Sequence, residues 1–135
     1  MSVLGALMMQ NAVIPAVRSI LQPTDFYRYA HAAIYTVELA IHEQGVPVDL
    51  LTVADVLAET QQLDQVGGKG TLVQIAAYPT AASNAPHHAR IIHEHAVLRA
   101  LIAAGQQIVQ LGYDRGANTQ ELVRQARQLL QGIAA

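Results

Sequence analysis

Cysteine is absent from this chain of 135 residues, and so is tryptophan. Without thiols there is no disulfide, no thiol nucleophile and no cysteine-held metal. Phenylalanine occurs once, as Phe26. Charge is scarce too: charged residues make up 13%, with 8 basic against 10 acidic and a formal net charge of −2. That is too little positive charge to neutralise a run of phosphates, so no tight direct nucleic-acid binding by this chain is expected. A long apolar run is also missing; none approaches the ~18 residues that a membrane span requires, and no membrane partner is expected. The opening segment MSVLGALMMQ lacks the positive lead of a secretory signal, which predicts a cytoplasmic location. What the chain does have is apolar bulk, 52% of residues, with a mean hydropathy of +0.24. That surface must enter a core or lie against a partner.

The apolar spacing is helical nearly throughout. Val3, Leu4, Leu7 and Met8 form one stripe behind Ser2, a good N-cap. Val13, Val17, Ile20 and Leu21 form a second, with Pro15 tolerable in its first turn and Pro23 ending it. A third helix is predicted from Tyr29 to Glu43, stopped by Gly45 and Pro47. Thr52 with Asp55 reads as a capping box opening a short helix over Val53, Val56 and Leu57. Leu72, Ile75 and Ala76 carry another, stopped at Pro79. The only strand candidate, GVPVDLLTV, contains Pro47, which argues against a central strand.

The C-terminal part differs. One long helix is predicted from about Ala85 to Gly112, then a break, then a last amphipathic helix opened by Asn118 and Glu121 and carrying Leu122, Ala126, Leu129, Leu130 and Ile133. The expected architecture is all-α: a compact bundle of about five helices over residues 1–82, followed by a helical hairpin over residues 83–135. At ~100° per residue, the apolar positions between Val97 and Leu111 cover about half of the long helix's circumference. A surface helix normally shows a stripe little wider than ~100°. A face this wide predicts two contacts, one with the returning helix and one with something further, a second subunit foremost.

Several stretches imitate active sites. VGGKGT, Val66 to Thr71, has glycines around Lys69, but a phosphate loop needs the hydroxyl directly after lysine, and here Gly70 intervenes. No strand pattern precedes it either. Gly67 and Gly68 are read as a turn into a helix, with no nucleotide bound. His87, His88, His93 and His95 cluster around Glu94. Helical zinc ligands want i and i+4 spacing, which His93 and His95 lack; a solvated face is expected and no metal. A small enzyme built on these histidines is the competing idea, decided by metal analysis of untagged protein. His31, beside apolar neighbours, reads as a hydrogen-bonded core histidine. Asp49 and Asp55 frame a helix start, where capping explains them. Ser2, Ser19 and Ser83 lack a nucleophile-elbow context. The residues alone lead to an all-helical module with an interaction surface and no catalytic residues.

Six segments go further: SVLGALM, LQPTDFYRYAHAAIY, GVPVDLLTVADVL, VGGKGTL, YPTAASNA and ARIIHEHAVLRALIAAG, in this order with short spacers between Ser2 and Gly105. Together they resemble the N-terminal domain of the DnaB-type bacterial replicative helicase, over about Ser2 to Tyr113. The resemblance implies structural roles for Asp25, Phe26, Tyr27 and His31, which join the first helices and anchor the third, with Phe26 buried, and a helix-entry turn at Gly67 and Gly68. It also implies a non-catalytic collar: self-association into dimers and a hexameric ring of three dimers, and docking of the primase helicase-binding domain, with a helicase loader as a further partner. On that footing Leu101, Ile108, Val109, Leu111, Leu122, Leu129 and Leu130 are expected to hold the hairpin and its dimer. No cofactor is expected in this chain; ATP and magnesium would belong to an ATPase domain. Departures from the family pattern are Tyr29, where proline is usual, Ser83, which looks inserted, and His87–His88, where aromatic residues are frequent. Met1 and Ala135 fall near the family's domain limits, which suggests an excised domain; a stand-alone adaptor for primase or a loader is the alternative, and the complete reading frame would decide between them.

Overall fold

The computed structural model describes residues 2–133; the domain limits expected at Met1 and Ala135 lie outside them. The helices are α1 (Val3–Met9), α2 (Ile14–Arg18), α3 (Tyr29–Glu43), α4 (Leu50–Glu59), α5 (Gly68–Ala77), α6 (Ala85–Gly112) and α7 (Thr119–Gln131). Single 3-10 turns at Asn11–Val13, Pro23–Asp25 and Ala82–Asn84 link them. Among the described residues there is no strand, only an isolated parallel bridge between Ser2 and Pro79. The architecture is the expected one, a helical bundle followed by a helical hairpin. Two compact bodies result, one running to His93 and one from Glu94 onward, and α6 contributes to each.

Local chemistry sets most boundaries. Ser2 caps α1, its Oγ accepting from the Gly5 N–H at 3.0 Å. Gly45, at φ +73°, closes α3 in a Schellman motif: the Val46 N–H reaches the Ile41 carbonyl and the Gly45 N–H that of His42. The same motif ends α4, but there the left-handed position is Gln61 at φ 59°, a residue that tolerates it less well. Helix α4 starts earlier than expected. Asp49, not Thr52, is its N-cap, and Asp49 and Thr52 exchange reciprocal side-chain-to-backbone bonds. Asp55 lies inside the helix and is exposed. The second predicted helix is interrupted as well, a 3-10 turn followed by five α-helical residues ending at Arg18.

Within the first body the core is built from α1 to α5 and the first turns of α6. Leu7, Ile14, Val17, Leu21, Ile34, Tyr35, Val53, Leu57 and Leu72 are fully buried, each such aliphatic side chain contributing roughly 1.5–3 kcal/mol. Ala85 and Ala89, small enough to let α6 approach closely, complete it with the partly covered Ile92. Val48 shows why the strand candidate is a loop. Its N–H donates to Asn11 Oδ1 and its carbonyl accepts from Asn11 Nδ2, both at 2.8 Å, so one side-chain amide replaces a strand partner. Gly5 lets α1 sit on α5, because a Cβ there would lie 2.3 Å from the Ile75 carbonyl oxygen.

Among the described residues Asp25, Glu38 and Thr80 are the buried polar ones, and Glu38 is the most deeply buried. Helical period places Glu38 inward with Ile34, Val37 and Ile41. Its side chain is 0% exposed, and neither carboxylate oxygen has a hydrogen-bond partner. Burial without compensation disfavours the charged form and pushes the Glu38 pKa well above the carboxylate range. A raised folded-state value means that the unfolded chain releases its proton first as pH rises. Stability is therefore fully present below the ordinary carboxylate range and falls as pH climbs above it, toward the folded-state value. Glu38→Met, similar in volume, should raise stability at pH 4 by roughly 1–3 kcal/mol, the cost of a buried polar group without a partner, and by more at pH 8. Urea denaturation of both proteins across that range measures the difference; parallel pH profiles would contradict a buried neutral acid.

Candidate interaction surface

In the second body, α6 presents two apolar stripes. Val97, Ala100, Ala104, Ile108 and Leu111, spaced three and four apart, are wholly or partly covered. About 120° around the helix, a second stripe is open: Leu98 is 58% exposed, Ile102 63% and Val109 55%, with Leu101 beside them. The exposed Gly105 lies between and adds no side chain, leaving the backbone approachable. Helix α7 repeats the pattern. Leu122, Ala126, Leu129 and Ile133 are partly covered at i, i+4, i+7 and i+11, whereas Val123 and Leu130, seven apart, are exposed.

Local bonds organise the intervening turn and the entry to α7. The Gly116 N–H donates to Asp114 Oδ1 at 3.1 Å, and Asn118 Oδ1 caps α7 by accepting from the Gln120 N–H at 2.8 Å. Glu121 turns instead to Arg124, which holds its carboxyl down at about 2.

The seven residues expected to hold the hairpin and its dimer thus divide by exposure. Ile108, Leu111, Leu122 and Leu129 are partly covered within the chain; Leu101, Val109 and Leu130 are open. Leu98, Ile102 and Val123 are open too and stood outside that set, because a helical wheel shows one broad arc where burial shows two stripes.

The structural-motif residues lie in the first body. Asp25 is central. Its Oδ2 accepts from the Gln22 N–H at 2.9 Å, capping the 3-10 turn, and lies 2.9 Å from His93 Nδ1 on α6. Side-chain exposures of 12% and 22% put that pair largely out of water. His93 is therefore a tie between the turn before α3 and the start of α6, not a member of a solvated face. Phe26 is half-buried rather than buried, since it lies where the turn ends at the edge of the core; its ring packs 5.3 Å from Tyr35 and 6.2 Å from His31. Tyr27 is exposed. His31 is half-buried at the start of α3 rather than a hydrogen-bonded core residue, its ring having no hydrogen-bond partner among the described residues; burial together with the Arg28 charge lowers its pKa, so the ring is neutral near pH 7.

Gly67 and Gly68 both have positive φ, +102° and +78°, and Gly67 is the N-cap of α5. A Cβ on Gly67 would sit 2.3 Å from Thr71 Oγ1, the hydroxyl that donates back to the Gly67 carbonyl. Thr71 is thus committed to closing a turn, and Lys69 lies in the first turn of α5. The His87 and His88 rings stack edge-on at 5.7 Å. Among the described residues no group of three or more His, Asp or Glu is placed to hold a metal ion, and no helix is long and apolar enough to cross a membrane.

The described chain is thus all-α, and its last two helices leave an apolar stripe exposed. The family model described as the DnaB-like helicase N-terminal domain matches residues 1–94. The replicative DNA helicase DnaC of Bacillus subtilis is 37% identical over 133 residues, covering 98% of this chain and 29% of that protein. The replicative DNA helicase DnaB of Geobacillus stearothermophilus is 44% identical over 115 residues, covering 84% of this chain and 25% of that protein. The crystal structure of the N-terminal domain of DnaB helicase from Mycobacterium tuberculosis superposes with a TM-score of 0.88 at 36% identity, covering 96% of this chain and 91% of that one. The chain belongs to the DnaB-like helicase N-terminal domain family, and it spans between a quarter and a third of the length of these full-length relatives.

The Asp25–His93 tie is open to direct test. Asp25→Ala removes both the cap and the partner and should destabilise the chain by about 1–3 kcal/mol. Asp25→Asn keeps a capping oxygen and should lose less. Urea denaturation gives both values, and equal losses would dismiss the charged partner.

Proposed function

We propose that this chain is the collar domain of a replicative DNA helicase, a self-associating platform on which the replication machinery is organised. One observation carries the reading: the open stripe of Leu98, Leu101, Ile102 and Val109 beside a covered stripe on the same helix. Water-exposed leucine, isoleucine and valine in a continuous row favour association, because each buried apolar Å² contributes roughly 25 cal/mol. A second copy offers the same row in return, which suits a two-fold contact in which each stripe covers the other. Dimers built this way would be the units of a hexameric ring of three.

In this reading the chain performs no chemistry. ATP and magnesium would be handled by a motor domain, and unwinding by the assembled protein. Primase, through its helicase-binding domain, would dock on the collar so that primers are laid near the fork; a loader would be a further partner. The low content of basic residues fits a part that touches proteins rather than the DNA itself.

Ile102→Asp puts a charge in the middle of the stripe on an exposed position, so the fold should survive. The dimer should weaken about a hundredfold or more, each interface carrying the change twice. Sedimentation equilibrium reads the mass; an unchanged dimer, or a wild-type chain that is monomeric at high concentration, would refute the assignment. The cognate primase C-terminal domain should be retained by the wild-type chain in a pull-down and protect a surface of it from hydrogen exchange. Absence of both effects would remove primase from the reading.

A further inference from the structure

In the first body a cleft of about 360 Å³ opens between the start of α3 and the side of α5. Its lining is mixed: Leu4 and Ile75 are the aliphatic members, Ser2 and Thr71 are the two hydroxyls already engaged in the cap of α1 and the Gly67 turn, and Tyr78 is exposed. Its polar lining includes the Arg28 guanidinium, the His31 imidazole and the Gln74 amide. None of these three side chains makes a hydrogen bond or ion pair to another described residue, so all three are available to a ligand. The lining holds a cation and no carboxylate, although acidic residues outnumber basic ones in the chain, 10 to 8.

We propose that this cleft docks a short extended peptide segment of a partner protein, one that presents a carboxylate next to an apolar side chain. The guanidinium fork matches a carboxylate in plane and can grip both oxygens. His31, neutral near pH 7, supplies a donor without a second charge, and the Gln74 amide can bond the peptide backbone. Leu4 and Ile75 accept the neighbouring apolar side chain. The volume lies at the lower end of ligand clefts, which run from about 300 to 1,000 Å³, and suits two or three side chains. Phosphate fits less well: a lone cation over a half-apolar bed lacks the cluster of charges or backbone amides that such groups are usually held by. The site shares no residue with the stripe on α6, so either assignment can fail without the other.

The test titrates a capped tetrapeptide carrying one glutamate between two leucines into the full ¹⁵N-labelled chain. Amide resonances at Arg28, His31, Gln74 and Ile75 should shift. The peptide with glutamine in place of glutamate should bind about tenfold more weakly, the size of a lost charge-assisted bond. Arg28→Gln, at an exposed position, should weaken the glutamate peptide by a similar factor while leaving the thermal midpoint unchanged; Gln74→Ala serves as the second variant and should also weaken binding. Three results would overturn the proposal: no shifts up to the peptide's solubility limit, equal binding of the glutamine peptide, or inorganic phosphate shifting the same resonances when the peptide does not.

Discussion

Apolar surface has to be covered, and α6 is where that requirement bears hardest. A single helix carries one stripe that is covered and another, a third of a turn around, that stays wet. A lone stripe would be satisfied within the chain, and the helix would end there energetically. Two stripes leave it with a side that the described chain does not cover, and Gly105 adds no side chain there. The proposed role as a collar follows from this division more than from any particular residue.

The first body follows a different logic. Its core is ordinary in composition, but small polar devices hold its irregular connections. Asn11 pairs with both backbone groups of Val48. Asp25 caps a turn and reaches His93. Tyr35 buries its ring and donates a hydrogen bond from its hydroxyl to the Leu21 carbonyl at 2.8 Å. Each device satisfies a backbone group or side chain that would otherwise lie in low dielectric without a partner, which would cost about 1–3 kcal/mol. They fix the loops as firmly as apolar packing fixes the helices.

How much of this could be read from the chain depends on distance along it. The limits of α3 and α6 and the cap at Ser2 were legible, since glycine, proline and capping residues act on their immediate neighbours. So was the helix-entry turn at Gly67. The start of α4 was misplaced because Asp49 and Thr52 both suit an N-cap, and only the folded geometry selects the first. The Asn11–Val48 and Asp25–His93 ties join residues 37 and 68 apart and leave no local signature. Burial of Glu38 could have been anticipated, for it stands four residues beyond Ile34 on the inward face, yet charge argues the other way and hides it. At the candidate surface, periodicity gave the breadth of the apolar arc on α6, but only the folded chain separates the stripe it covers from the stripe it leaves open.

Glu38 has a further consequence. Its carboxyl holds a proton more tightly inside the domain than in the denatured chain, because burial raises its pKa well above the ordinary carboxylate value. Above the ordinary carboxylate range folding therefore takes up hydrogen ions from the medium, and melting returns them. The heat absorbed in a melting scan will then include the buffer's own enthalpy of protonation, differing between phosphate and Tris although the protein is the same.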